Sequence, residues 1–92
     1  MDNKNELLFR IASWISISSY RKRVMVALGG KLKTPSTLAR ESGIATNHIS
    51  KTLRELKDKD LIICINEDAK KGRLYQMTEL GSEVMQKLKM ID

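Results

Sequence analysis

Between Thr34 and Lys59 the chain reads TPSTLARESGIATNHISKTLRELKDK, two short helical stretches separated by a glycine at the spacing of a helix-turn-helix. Thr34 is placed to cap the first helix, and Pro35 suits its first position, where a missing N–H costs nothing. Leu38 and the small Ala39 face inward, and Ala39 lets two steeply crossing helices approach closely. Gly43 stands where the chain must leave the helix at positive φ, followed by Ile44 turning back to the core. Thr46 is placed as the cap of the second helix.

In that second helix Ile49, Leu53 and Leu56 recur at helical spacing and define an apolar face. Asn47, Lys51, Arg54 and Asp58 fall opposite it, with Ser50 beside them. Asn47, Ser50, Lys51 and Arg54 can donate to phosphates or base edges, so the pattern points to double-stranded DNA as partner.

The next segment fits a hairpin. Leu61–Asn66 (LIICIN) has strand composition, Glu67–Gly72 (EDAKKG) is a polar turn, and Arg73–Met77 (RLYQM) returns. Lys70, Lys71 and Arg73 make its tip basic, which favours phosphate contact over a merely solvated turn. Thr78 offers a cap for a last helix, Glu79–Ile91, with Leu80, Val84, Leu88 and Ile91 as its stripe. Upstream, SYRKRVMVAL forms a helix from Ser19 with Val24 and Leu28 inward, ended by Gly29 and Gly30. The expected fold is mainly α with a small β-hairpin (α+β), a winged helix-turn-helix with flanking N- and C-terminal helices.

On the segments SYRKRVMVAL, TPSTLARESGI, TNHISKTLRELKDKDLI and GRLYQMTELG, the chain resembles winged-helix transcriptional regulators of the MarR and ArsR type, especially small prokaryotic or archaeal members. The resemblance covers about residues 19 to 85. It implies operator binding as a dimer, with the recognition helix in the major groove and the wing near the minor groove or backbone. Carried over by position, Thr46, Asn47, His48, Ser50, Lys51 and Arg54 become recognition-helix contacts and Arg73 the wing arginine. The wing departs from the MarR pattern: Lys71 stands two residues before Arg73, where those wings often carry aspartate. ArsR-type metal sensing needs Cys, His and carboxylate clusters, whereas this chain has one Cys and one His, so no metal is expected.

Composition agrees with a polyanion partner. Of the net charge of +6, residues 31–73 hold ten Lys or Arg against six Asp or Glu, and residues 74–92 are slightly acidic. The 92 residues are read as one domain, 1–92, with a modest core. In the first helix, about residues 4–17, Leu7, Leu8, Ile11, Trp14 and Ile15 form an arc of about 120°. Phe9, Ile17, Met85 and Met90 fall off their helices' stripes. That many large apolar groups on so small a domain point to a homodimer through helices 4–17 and 79–91.

Cys64 has no intramolecular partner and is read as a packed thiol, His48 either as a DNA contact or as a surface histidine at a helix start, and Tyr75 as a packed ring. No signal or membrane-spanning segment is evident, so a cytoplasmic setting is expected. Catalysis has no visible machinery: no nucleophile has a base at a recognisable spacing, and no glycine-rich phosphate loop occurs, so neither an enzyme nor a cofactor is expected. The alternative function is a winged-helix protein-interaction module in a larger assembly. The polar, basic face of the recognition helix favours DNA, because interaction modules more often present acidic or apolar groups there.

Overall fold

Punctuation by proline and glycine divides the chain as the sequence implies. A computed structural model describes residues 3–91; residues 1, 2 and 92 of the expected domain lie outside the described residues. The order is α1 (Asn3–Ser16), α2 (Ser19–Leu28), α3 (Pro35–Ser42), α4 (Thr46–Asp58), β1 (Ile62–Cys64), β2 (Tyr75–Met77) and α5 (Glu79–Ile91). This is a mainly α fold with a small β-hairpin, a winged helix-turn-helix with a further helix at each end.

The helix-turn-helix forms through the local chemistry read from its residues. Thr34 accepts a hydrogen bond from the Thr37 amide at 3.2 Å, with Pro35 at the start of α3. Gly43 takes the left-handed conformation at φ 72°, and its N–H and that of Ile44 both return to the Ala39 carbonyl, at 3.0 and 3.1 Å. A residue with a Cβ is strained at that φ, so glycine fixes where α3 ends. Ile44 then enters the core beside Leu38, Ile49, Leu53 and Leu56.

One hydrophobic cluster joins all five helices to the hairpin. Burying each Leu, Ile or Met side chain contributes about 1.5–3 kcal/mol, and the largest fully buried ones come from α1, α2, α3, α4, β1 and α5 alike. The terminal helices therefore belong to the core: Leu8, Ala12 and Ile15 of α1 are buried, as are Val84 and Leu88 of α5. Among the described residues no helix is long and apolar enough to cross a membrane.

Several expectations are corrected. α1 starts one residue earlier and ends at Ser16, so Ile17 lies in the turn, 80% exposed. Its inward arc centres on Ala12, and Leu7 is left 47% exposed. Ala12 is fully buried between Leu8 and Ile15, and a count of large apolar residues alone misses it. Thr46 does not cap α4; Ala45 does, without a side-chain hydrogen bond, and Thr46 is the first helical residue. Met85 is partly buried against the core, and Ile91 of the expected stripe is exposed.

The hairpin is also shorter than expected. β1 and β2 pair antiparallel over three residues, Ile62 opposite Met77, Ile63 opposite Gln76 and Cys64 opposite Tyr75. Beyond Cys64 one more backbone bond forms, from the Ile65 N–H to the Leu74 carbonyl at 3.0 Å, and then the side chain of Asn66 takes over: its Oδ1 accepts from the Leu74 amide at 2.7 Å and its Nδ2 donates to the Gly72 carbonyl at 3.2 Å. An Asn that satisfies the backbone from its side chain competes with strand pairing. On the other edge of β2, Lys33 and Tyr75 exchange N–H···O=C bonds at 3.1 and 2.9 Å, an isolated bridge that ties the segment before α3 to the hairpin.

Candidate nucleic-acid interface

α4 is clamped from behind by its buried face, Ile49, Thr52, Leu53 and Leu56. The Thr52 hydroxyl donates to the His48 carbonyl at 3.0 Å, so the polarity of this buried side chain is satisfied within the helix. The opposite face, Thr46, Asn47, Ser50, Lys51, Arg54 and Asp58, is exposed.

Arginines of α2 hold the two helices of the motif from outside. Arg23 donates from Nε to the Ser42 carbonyl at 3.0 Å and from Nη2 to the Gly43 carbonyl at 3.1 Å, satisfying carbonyls at the end of α3. Arg21 pairs with Glu55 of α4 at 3.2 Å, donates to the Trp14 carbonyl at 3.0 Å, and lies 3.9 Å above the Trp14 ring. These two contacts fix α4 relative to α1, α2 and α3. Sequence reading missed both, because they join residues 19 to 34 positions apart, with no local spacing to reveal them.

The exposed face of α4 divides. On the α2 side, His48 and Lys51 line a small recess with Tyr20, Arg21 and Glu55, and the His48 and Tyr20 rings lie 5.3 Å apart. On the hairpin side, Ser50 and Arg54 join Lys57, Lys70 and Arg73 around an open cleft of about 380 Å³. Its apolar lining is Pro35, Leu53 and Tyr75. Tyr75 is buried, as expected of a packed ring, and Cys64 is half-buried with its thiol toward Asn66 Oδ1 at 3.5 Å. Lys71 is exposed on the hairpin but does not line the cleft.

Lys57 is the cleft residue that sequence reading passed over. It follows Ser50 by seven residues and Arg54 by three, the spacing of one helix edge, but the neighbouring Glu55, Asp58 and Asp60 made the segment look like a solvated helix end. Lys57 reaches across to an ion pair with Glu67 at the base of the hairpin tip. The hydrogen bond from Lys57 lowers the Glu67 pKa below the usual carboxylate value, and the same bond raises that of Lys57. Both groups are therefore charged at neutral pH. Arg73 turns its Nε to the Ala69 carbonyl at 2.9 Å, and no ion pair holds Arg54 or Lys70 among the described residues. Those residues also contain no group of three or more His, Cys, Asp or Glu able to hold a metal ion.

No protein-family model and no curated protein matches the chain. Solved structures share its fold. TubR bound to 24 bp of tubC, from Bacillus thuringiensis serovar israelensis pBtoxis, superposes with a TM-score of 0.81 at 14% identity, covering 92% of this chain and 95% of that one. A structure of the type III plasmid segregation protein TubR gives 0.80 at 14% identity, covering 92% and 87%. RV1404 from Mycobacterium tuberculosis gives 0.67 at 19% identity, covering 88% and 64%. The resemblance to MarR and ArsR regulators thus narrows to the winged-helix fold, which this chain shares with TubR.

Proposed function

We propose that the chain binds double-stranded DNA in a sequence-specific manner, with α4 in the major groove and the hairpin on the adjacent minor groove or backbone. The observation that carries this reading is the exposed polar face of α4 running without interruption into the basic cleft, through Ser50 and Arg54, which belong to both. In this reading Asn47 and Lys51 read bases. Thr46, His48, Ser50 and Arg54 contact the backbone beside them, and Lys70, Lys71 and Arg73 hold phosphates from the hairpin. That TubR is described bound to tubC DNA supports the same use of the fold here.

The five cations assigned to the backbone, Arg54, Lys57, Lys70, Lys71 and Arg73, set the expected salt dependence. If all five neutralise phosphates, the slope of log K against log salt is about −4.5 per protomer. Fluorescence anisotropy with a labelled random duplex measures it. A flat response, or no binding at low salt, overturns the reading in favour of a protein-interaction module.

Two biological uses follow from duplex binding: transcription regulation, which the resemblance in sequence implies, and DNA segregation, which the likeness in fold to the type III plasmid segregation protein TubR supports. Sequencing of DNA recovered with the chain from cells separates them, promoter-proximal sites supporting the first and a single plasmid-borne locus the second.

We also infer a homodimer built by the terminal helices, with residues 1–92 acting as one unit. Phe9 at 50% exposure and Met90 at 75% are large apolar groups that the fold leaves uncovered, together with Ile17. A two-fold axis would present two α4 helices to major grooves about 34 Å apart. Deleting α1 is not a clean test, because it removes Leu8, Ala12 and Ile15 from the core. Phe9→Glu and Met90→Glu, singly and combined, are expected to yield folded monomers in sedimentation at micromolar concentration. A monomeric wild type, or a combined variant that stays dimeric, would refute this interface.

A further inference from the structure

The cleft between α4 and the hairpin gathers four cations, Arg54, Lys57, Lys70 and Arg73, on two elements that are separate in sequence. Glu67 partners only Lys57 in an ion pair. Arg73 feels the Glu67 carboxylate at longer range and holds its Nε on the Ala69 carbonyl, whereas Arg54 and Lys70 converge on the same space with no ion pair among the described residues. Like charges brought together repel, and an anion entering the cleft relieves that repulsion. Pro35, Leu53 and Tyr75 form the apolar part of the lining, and the cations around them can make charge-assisted hydrogen bonds to such an anion. The Ser50 hydroxyl adds a neutral donor at the edge shared with the exposed face of α4.

We propose that this cleft seats one backbone phosphodiester of duplex DNA between α4 and the hairpin, and that Lys57 exchanges Glu67 for that phosphate on binding. The inference rests on the duplex-binding reading above and assigns it a defined backbone site. Glu67 occupies Lys57 in the free protein, keeping the hairpin near α4; when the phosphate arrives, the same lysine turns to it and Glu67 returns to water. The source is the backbone of a duplex, because Ser50 and Arg54 join the cleft to the face that meets the bases, so one strand can run from one to the other.

The exchange makes a prediction of sign. Glu67→Gln removes the competing anion and frees Lys57, so duplex affinity rises about two- to fivefold, the worth of an exposed ion pair, and the salt slope steepens by up to about one. Lys57→Ala lowers affinity and flattens the slope by about one. If the pair instead served only to position the hairpin, Glu67→Gln would weaken binding, and that result, or no change, overturns the proposal. Both side chains are exposed, so thermal midpoints close to wild type are expected to verify the fold of each variant. A competition arm identifies the source of the phosphate. Millimolar inorganic phosphate should displace the duplex no better than chloride of equal ionic strength, and specific displacement would make the cleft a free-anion site and overturn the backbone assignment. Failure of the wild type to bind any duplex would remove the functional reading itself, an outcome distinct from a wild type that binds while Glu67→Gln shows no gain.

Discussion

Gly81→Ala is expected to lower stability by about 1–3 kcal/mol, the cost of overpacking a close contact, although helix propensity alone predicts a gain of up to about 1 kcal/mol. Gly81 lies in the first turn of α5, and an added Cβ would stand 2.3 Å from the Leu61 carbonyl oxygen and 2.7 Å from Met77 Cγ. The approach is this close because Thr78 ties the start of α5 to the turn that follows α4. Its N–H donates to the Leu61 carbonyl at 3.0 Å, its hydroxyl donates to the Asp60 carbonyl at 2.6 Å, and the same hydroxyl accepts from the Gly81 amide at 3.0 Å. The methionine can move aside; the backbone carbonyl cannot without breaking the Thr78 contacts. Each kcal/mol moves the thermal midpoint of a domain this size by about 4–8 °C. Gly30→Ala is the control, since its Cβ would meet nothing within 4 Å, and it should stay within about 0.5 kcal/mol of wild type. A Gly81→Ala midpoint equal to or above that of wild type would show that α5 does not seat on Leu61 as described.

Gly81 also marks where sequence reading stops. Thr34, Pro35 and Gly43 were legible because a cap, a fixed φ and a positive φ are decided within a few residues, and the periodicity of α4 separated its buried from its exposed face. The contacts that aim those elements are of another kind. The Lys33–Tyr75 bridge is one pair long and leaves no alternation to detect. Arg23 on the Ser42 and Gly43 carbonyls, and Arg21 on Glu55, look in sequence like any basic residues of an exposed helix. Ala12 carries no hydrophobic weight by size, yet it centres the buried arc of α1. Lys57 was hidden for the opposite reason, since its helix position was readable but its role depends on a hairpin ten residues away.

The same division, local chemistry on α4 and long-range placement around it, sets the largest expected effect on binding. Alanine at Asn47 or Lys51 should narrow the gap between preferred and random duplex by about 1–3 kcal/mol, the worth of a good base contact. Both side chains are exposed near the start of α4, the part of a recognition helix that usually meets base edges. Asn can pair with adenine and Lys with guanine, whereas Arg54 lies one turn beyond Lys51, in the cleft with Lys57, Lys70 and Arg73, where a phosphate is the natural partner. The two positions should therefore differ in kind from Arg54→Ala, which weakens preferred and random duplex by similar factors and flattens the salt slope by about one. None of the three side chains is buried, so circular dichroism should show an unchanged helix content in each variant. The preferred duplex comes from selection out of a randomised pool, followed by binding curves for each variant on preferred and random sequence. Undiminished discrimination in both Asn47→Ala and Lys51→Ala would mean that α4 does not read the groove through its first turns. A loss of discrimination in Arg54→Ala alone would move base reading to the hairpin side of the helix.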